Sequence, residues 1–301
     1  MGMLLEEASP FLYLLEDPLE IRKLRKGEIS EVEELCESVH WPYTLEDIER
    51  LYRLEPGGWF CARVNGQYAG QAMGLSIGSL GCLGIVIVRQ DLRRQGIATA
   101  VTKAALEYLS KKGIKTVKLD ATDEGYGIYK KLNFIPEFSV LHYVREAQHG
   151  IVLDEEANGV ESLKVTEIDL VSEFDRKYFG VNRSAVLKAL RKDSDGLVFK
   201  EGLRIRAYAM VRPMNYENGY WLGPWVAESG PSAETLLRHL LKRYQNKEIR
   251  LGVLEANREA QNLLAQYGFK VDFKITRMRF GPKLEEEDPT GIYAEAGHEK
   301  G

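Results

Sequence analysis

The pattern of apolar and polar positions along residues 19–146 predicts helices and strands in a regular order. Apolar residues spaced three and four apart indicate helices over 29–39 and 98–109, and alternation indicates strands over 59–64 and 67–77. Asn65-Gly66 between these two strands is a strong signal for a tight hairpin turn. In chain order we expect strand 19–26, helix 29–39, a helix after Thr44, strands 59–64, 67–77 and 83–88, helix 98–109, strand 116–119, helix 125–132 and strand 139–144.

The segment 93–99, which reads Arg-Arg-Gln-Gly-Ile-Ala-Thr, lies between the apolar run 83–88 and the helix pattern of 98–109. Where a strand turns directly into a helix, the first amide N–H groups lack partners and the helix dipole adds positive potential. Arg93 and Arg94 add mobile cations, so the segment predicts a phosphate site. It is neither a P-loop nor a dinucleotide fingerprint, because it has no Gly-Lys-Ser/Thr and no Gly-x-Gly-x-x-Gly.

Residues 93–98 resemble the coenzyme A loop of the GNAT N-acetyltransferases, Arg/Gln-x-x-Gly-x-Gly/Ala. At the family's distance follow a strand-like segment, 117–120, and the segment Tyr129-Lys130-Lys131-Leu132-Asn133-Phe134, similar to the family's Tyr-x-x-x-Gly-Phe. The resemblance implies an α/β (α+β) fold with a mixed, mostly antiparallel central sheet flanked by helices. It also implies acetyl-CoA as co-substrate. Another α/β phosphate binder is the alternative.

The second half of the chain repeats the first. Residues 119–134 align without gaps on 254–269, and Gly96 precedes Phe134 by 38 residues where Gly230 precedes Phe269 by 39. The segments 175–180, 222–227 and 277–281 are also similar to the acetyltransferase-like domain that follows a GNAT domain in some prokaryotic proteins. We therefore expect two tandem GNAT-like domains, with these boundaries: arm 1–18, catalytic domain 19–146, linker 147–160, degenerate domain 161–281 and tail 282–301.

Only the first copy keeps the residues for binding phosphate. In the second copy, Glu228 places negative charge at the loop, Pro231 removes one N–H donor, and Leu264 stands at the tyrosine position. Catalysis is therefore assigned to residues 19–146, and the second half is expected to be a wall, a lid or an acceptor-recognition domain. The tail is expected to be a flexible end, although its apolar patch could also dock back.

The resemblance also implies roles for individual residues. The pantetheine arm is expected to add edge-on to the fourth strand, as in β-augmentation. Tyr129 matches the tyrosine that protonates the departing coenzyme A sulfur, and its alternative role is that of a core aromatic. The expected cofactor-binding residues are Val86, Ile87, Val88, Arg93, Arg94, Gln95, Gly96, Ile97, Ala98, Thr99, Tyr126 and Lys130.

The loop between the first two helices lines the acceptor site in GNAT folds, which makes His40, Trp41 and Tyr43 candidates for acceptor binding. Aromatic rings there could hold an amine through cation–π contact, or Trp41 could simply fill the core. The general base is not evident from the sequence. The candidates are His40, Glu46, Asp47 and Asp120, and deprotonation through water needs none of them.

Composition narrows the function further. The net charge of −4 argues against a nucleic-acid partner. Three widely spaced cysteines and five histidines show no ligand spacing, which favours a reducing compartment and no metal. With no signal peptide and no apolar run long enough for a membrane, we expect a cytoplasmic monomer or homodimer that acetylates a small-molecule amine. A non-catalytic acyl-CoA sensor and a protein N-acetyltransferase are the alternatives.

Overall fold

The computed structural model describes residues 19–147 and 159–300, which form two compact units. The first unit contains residues 19–74 and 83–112, and the second contains 75–82 and 113–300. The predicted arm, 1–18, and most of the predicted linker, 148–158, lie outside the described residues.

In the first unit, short sequence motifs account for the start of a helix and for a turn between strands. Thr44 caps its second helix through a reciprocal pair of bonds with Asp47, as the capping-box pattern requires. Its first two strands pair antiparallel, and the second pairs antiparallel with the third across the Asn65-Gly66 turn, where both residues have positive φ. The elements that lie wholly or mainly in this unit are β1 (Leu19–Lys23), α1 (Ile29–Ser38), α2 (Leu45–Leu54), β2 (Trp59–Val64), β3 (Gln67–Ile77), β4 (Leu80–Val88) and α3 (Ile97–Lys111).

The second unit is a mixed, mostly antiparallel sheet with helices. Its strands are β5 (Thr116–Ala121), β6 (Ile135–Arg145), β7 (Val160–Ser162), β8 (Asp195–Glu201), β9 (Arg204–Pro213), β10 (Gly219–Ala227), β11 (Glu248–Leu254), β12 (Lys270–Phe280) and β13 (Ile292–Ala294). Its helices are α4 (Asp123–Lys131), α5 (Ile168–Phe179), α6 (Ser184–Asp193), α7 (Gly230–Arg243) and α8 (Arg258–Gln266). The strands run in the order β5-β12-β6-β11-β10-β9-β8-β7, and β10 pairs with β11 in parallel.

The two sequence halves exchange their last strands within this unit. β12, from the second half, lies between β5 and β6, and β6, from the first half, pairs with β11. All of these pairings are antiparallel, so each exchanged strand is hydrogen-bonded on both sides. The compact units therefore do not coincide with the two halves of the sequence.

The C-terminal tail is folded, which corrects the expectation of a flexible end. β13 pairs with β10, and residues 292–297 are buried. Docking of its apolar residues, the alternative for this segment, is what the structure shows: Ile292, Tyr293 and Ala294 are each at most 2% exposed. Burial of this apolar surface is the driving force for docking.

Two expectations from composition can be checked on the described residues. Cys36, Cys61 and Cys82 are all buried and form no disulfide. Among the described residues, no helix is long and apolar enough to cross a membrane.

Candidate active site

The turn from β4 into α3 has the backbone geometry that an anion site needs. Arg94 and Gly96 have φ values of +65° and +83°, and α3 begins at the next residue, Ile97. No side chain of the described residues caps this helix start, so the first-turn amide N–H groups are left for a ligand. Gly96 adopts this φ without the steric cost that a Cβ would bring.

The cationic side chains of the loop differ in placement. Arg93 is half-buried, and its Nε donates to the carbonyl of Val88, 3.3 Å away. Arg94 is exposed. Earlier in β4, Ile85 has a φ of +51°, which is unusual for a β-branched residue and bends the strand just before Val86. Residues 86–99, which contain most of the expected cofactor contacts, thus lie together in the first unit.

Tyr126, Tyr129 and Lys130 lie on α4, in the second unit. Lys130 is exposed and Tyr126 is half-buried. Tyr129 is buried, and its ring packs edge-on against Phe134 with centroids 5.9 Å apart. Burial raises the pKa of the Tyr129 phenol, so the group holds its proton at neutral pH. Burial and protonation are compatible with either role of Tyr129, that of an aromatic residue in the core or that of a proton donor. Its catalytic role stays a prediction.

The three candidate acceptor residues lie in the loop between α1 and α2. His40 is exposed with a φ of +57°. Trp41 and Tyr43 are half-buried, with ring centroids 6.4 Å apart. Trp41 is therefore not enclosed in the core, and both rings keep part of their surface available. Their role in acceptor binding stays a prediction.

Two of the candidate bases are already engaged. Asp47 is buried, bonds to Thr44 and pairs with Arg50. The side chain of Asp120 is fully buried in the second unit, where Arg277 donates two hydrogen bonds to it, one of them 2.9 Å from Nη2 to Oδ2. The Arg277 guanidinium keeps the pKa of Asp120 well below its usual range although burial opposes the shift. A carboxylate with so low a pKa is a weak base, so the structure favours a structural role for Asp120.

Arg277 also joins Asp120 to the tail. Its Nη2 donates to Glu295 Oε2 at 2.8 Å, and Nδ1 of His298 lies 3.1 Å from Glu295 Oε1 and 3.5 Å from Asp120 Oδ2. The two carboxylates raise the pKa of His298 to about 10, whereas burial holds the pKa of His142 well below its usual value. We name Asp120, His142, Arg277, Glu295 and His298 the polar cluster. Sequence analysis missed it, because no spacing or motif connects these positions.

In the second copy, the tail occupies the place beside the strand that corresponds to β4. β10 pairs with β11 only over 219–221 and then diverges from it. β13 pairs with β10 at Trp225 and Val226, and Glu295 N–H donates to the carbonyl of Gly252 on β11 at 3.0 Å. Asn257 secures the segment by donating to the carbonyl of Ile292 at 2.9 Å. The fork between β10 and β11, which we name the second-copy slot, is thus filled by the protein's own chain.

The loop of the second copy differs from Arg93–Thr99 as the sequence predicts. Glu228 is ion-paired with Arg204 at 2.6 Å and with Arg206 at 2.9 Å. Ser229 caps α7 by accepting from the N–H of Ser232. The start of this helix therefore already has an acceptor, and a carboxylate stands beside it.

Replacing Gly252 by alanine is expected to destabilise the protein by about 1–3 kcal/mol. A Cβ there would lie 2.9 Å from the carboxylate carbon of Glu295 and closer still to Oε1. The buried ion pair with Arg277 prevents that carboxylate from moving aside. Urea unfolding measures the change. The control is Gly127→Ala on α4, where a Cβ meets nothing within 4 Å and a gain of about 0.5–1 kcal/mol is expected. An equal response of the two variants would show that Glu295 does not fill this space.

Comparison with known proteins places the fold and both halves in one family. The acetyltransferase (GNAT) family model matches residues 27–134, and a model of an acetyltransferase (GNAT) domain matches 171–294. The chain is 24% identical over 251 residues to a holothin acyltransferase of a Pseudoalteromonas species, covering 82% of this chain and 83% of the relative.

Solved structures agree on the fold. A candidate acetyltransferase from Pyrococcus horikoshii superposes with a TM-score of 0.80 at 24% identity, covering 94% of this chain and 96% of the other. A GCN5-related N-acetyltransferase from Sphaerobacter thermophilus gives a TM-score of 0.65 at 15% identity, covering 92% and 99%. The chain therefore belongs to the GNAT family, as an acyltransferase that carries two GNAT domains in tandem.

Proposed function

We propose that the protein transfers the acetyl group of acetyl-CoA to the amine of a small molecule, and that the first copy alone performs the reaction. The observation that carries this proposal is the turn at Gly96, where exposed and half-buried residues with positive φ precede an uncapped helix. Such a turn suits a pyrophosphate. The match to a holothin acyltransferase supports acyl transfer as the chemistry.

Different residues of the first copy are proposed to bind different parts of acetyl-CoA. The main chain at Val86–Val88 bonds the pantetheine amides, and the amides of residues 95–99 bind the diphosphate with Arg94 as a mobile cation. Acetyl-CoA supplies an activated thioester carbonyl. Trp41 and Tyr43 provide aromatic surface for an amine.

Tyr129 supplies the proton that the leaving group requires. The amine nitrogen forms a bond to the acetyl carbon, the carbon–sulfur bond breaks, and the amine gives up a proton to water. The thiolate then takes the phenol proton of Tyr129, which regains one from solvent. Burial keeps the phenol protonated before the reaction begins.

The second copy is proposed to take no part in binding acetyl-CoA. The second-copy slot is filled by β13, and Glu228 with its arginine partners stands at the helix start. Calorimetric titration with coenzyme A is therefore expected to give one site per chain. Two sites would contradict this part of the proposal.

The reaction is tested by following thiol release from acetyl-CoA with a panel of small amines and peptides. We expect release with a small amine, and a fall of about 100-fold or more in kcat for Tyr129→Phe with coenzyme A affinity unchanged. Tyr143→Phe, another buried tyrosine, is the control and should keep the activity. Binding without release from any amine would favour a sensor, and release with peptides alone would favour a protein acetyltransferase.

A further inference from the structure

Three buried polar atoms of the polar cluster converge without a hydrogen-bond partner among the described residues. They are Nε2 of His142, Oε1 of Glu295 and Nδ1 of His298. The ligand atoms of these three residues all lie within 4.8 Å of one another. A buried polar group without a partner costs about 1–3 kcal/mol, so three such atoms on neighbouring side chains indicate that a further group binds between them.

The separation of two of these atoms suits a shared ion better than a hydrogen bond. Nδ1 of His298 and Oε1 of Glu295 are 3.1 Å apart, and neither atom makes a hydrogen bond of regular geometry. Two ligands bound at 2.0–2.1 Å to one tetrahedral ion lie about 3.3 Å apart. The other oxygen of Glu295 is bonded to Arg277, which leaves Oε1 as the oxygen without a hydrogen-bond partner.

Local charge also calls for a cation. When both carboxyl groups are ionised, Asp120 and Glu295 place two negative charges against one positive charge on Arg277, and all three side chains are at most 4% exposed. Either a proton on His298 or a bound metal ion would balance the excess. A metal ion would satisfy all three unpartnered atoms at once, which a proton on His298 cannot do.

We propose that His142, Glu295 and His298 bind a divalent transition metal ion of the zinc class, with water in the fourth position. Two imidazole nitrogens and one carboxylate oxygen form a donor set typical of zinc. Neighbours hold the donors in place: the His142 ring stacks on Phe273 with centroids 4.1 Å apart, and Arg277 orients Glu295.

The ion would act on structure and not on acetyl transfer. Glu295 and His298 follow β13 in the tail, whereas His142 lies on β6 directly opposite Gly252 and Phe273 of the neighbouring strands. A metal bound to all three residues would cross-link the tail to β6 and so stabilise it in the second-copy slot. This inference is independent of the proposed function, since its measurements need no substrate.

The test uses full-length, metal-free protein titrated with Zn²⁺ against a competing chelator, and with Co²⁺ followed by visible absorption. We expect one saturable site per chain and slower amide exchange in residues 292–300 when metal is added. His298→Gln should weaken binding by about 100-fold or more, because loss of an outer-shell partner alone costs 10–100-fold. The matched control is His239→Gln on α7, where Nδ1 lies 2.9 Å from the carbonyl of Thr235, and it should bind as the natural protein does.

A second variant distinguishes loss of a metal ligand from loss of folding. His142→Phe keeps a flat ring against Phe273 and removes the nitrogen, so it should fold and lose binding. Equal affinity in His298→Gln and His239→Gln, or no saturable binding at all, would overturn the proposal. So would a crystal structure grown with Zn²⁺ that shows a water molecule between these atoms of His142, Glu295 and His298.

Discussion

Replacing Gly96 by valine is expected to weaken coenzyme A binding by about 100-fold or more while the rest of the protein stays folded. A β-branched residue at a φ of +83° is a severe outlier, so the turn must change conformation. The amides after it would then no longer point to one spot. A 100-fold loss corresponds to one or two hydrogen bonds to a charged group, each of about 1.5–3 kcal/mol. Calorimetric titration measures the affinity.

Gly113→Val provides a matched control for this variant. Gly113 has nearly the same φ, +82°, and a Cβ there meets nothing within 4 Å. The backbone strain is therefore similar, but the residue follows the end of α3 and not its start. Loss of binding in both variants would indicate general unfolding. Normal binding by the Gly96 variant would refute the phosphate site.

Arg277→Met is expected to lower the free energy of unfolding by about 3–5 kcal/mol. Methionine fills much of the same volume but leaves Asp120 and Glu295 buried without their cation. The measurement is urea unfolding of the metal-free protein, with the tail monitored by amide exchange. We expect residues 292–300 to lose protection first, because Arg277 bonds Glu295 directly.

Two further variants distinguish charge from volume. Arg53→Met removes an exposed pair with Glu49 and should cost at most about 0.5 kcal/mol. Combining Arg277→Met with Asp120→Asn and Glu295→Gln removes the unpaired charges and should regain part of the loss. If Arg277→Met proved as mild as Arg53→Met, the polar cluster would not be holding the tail.

Elements that depend on neighbouring residues could be predicted from the sequence. The strands 59–64 and 67–77 have the predicted bounds, because Asn65-Gly66 fixes the turn between them. The helix predicted over 98–109 begins one residue earlier, at Ile97, because Gly96 supplies the turn. In these places a few adjacent residues decide the backbone, so periodicity and turn chemistry suffice.

The repeat and the difference between its copies could also be predicted. The family models match both halves, and the carboxylate expected to repel phosphate, Glu228, stands at the start of α7 as the alignment implies. Whether the tail is flexible or packed could not be predicted from its composition, because an apolar patch after an acidic segment is compatible with both.

The sequence by itself indicated most of the secondary structure, the family and the loop that we expect to bind a diphosphate, since each of these depends on contiguous residues. The tertiary structure alone decided which strands pair. Arg277 meets Asp120 because β12 pairs with β5 in one register, and His142 meets the tail because β6 pairs with β11. Positions 120, 142, 277, 295 and 298 share no local pattern. Only long-range hydrogen bonding between strands brings their charges together.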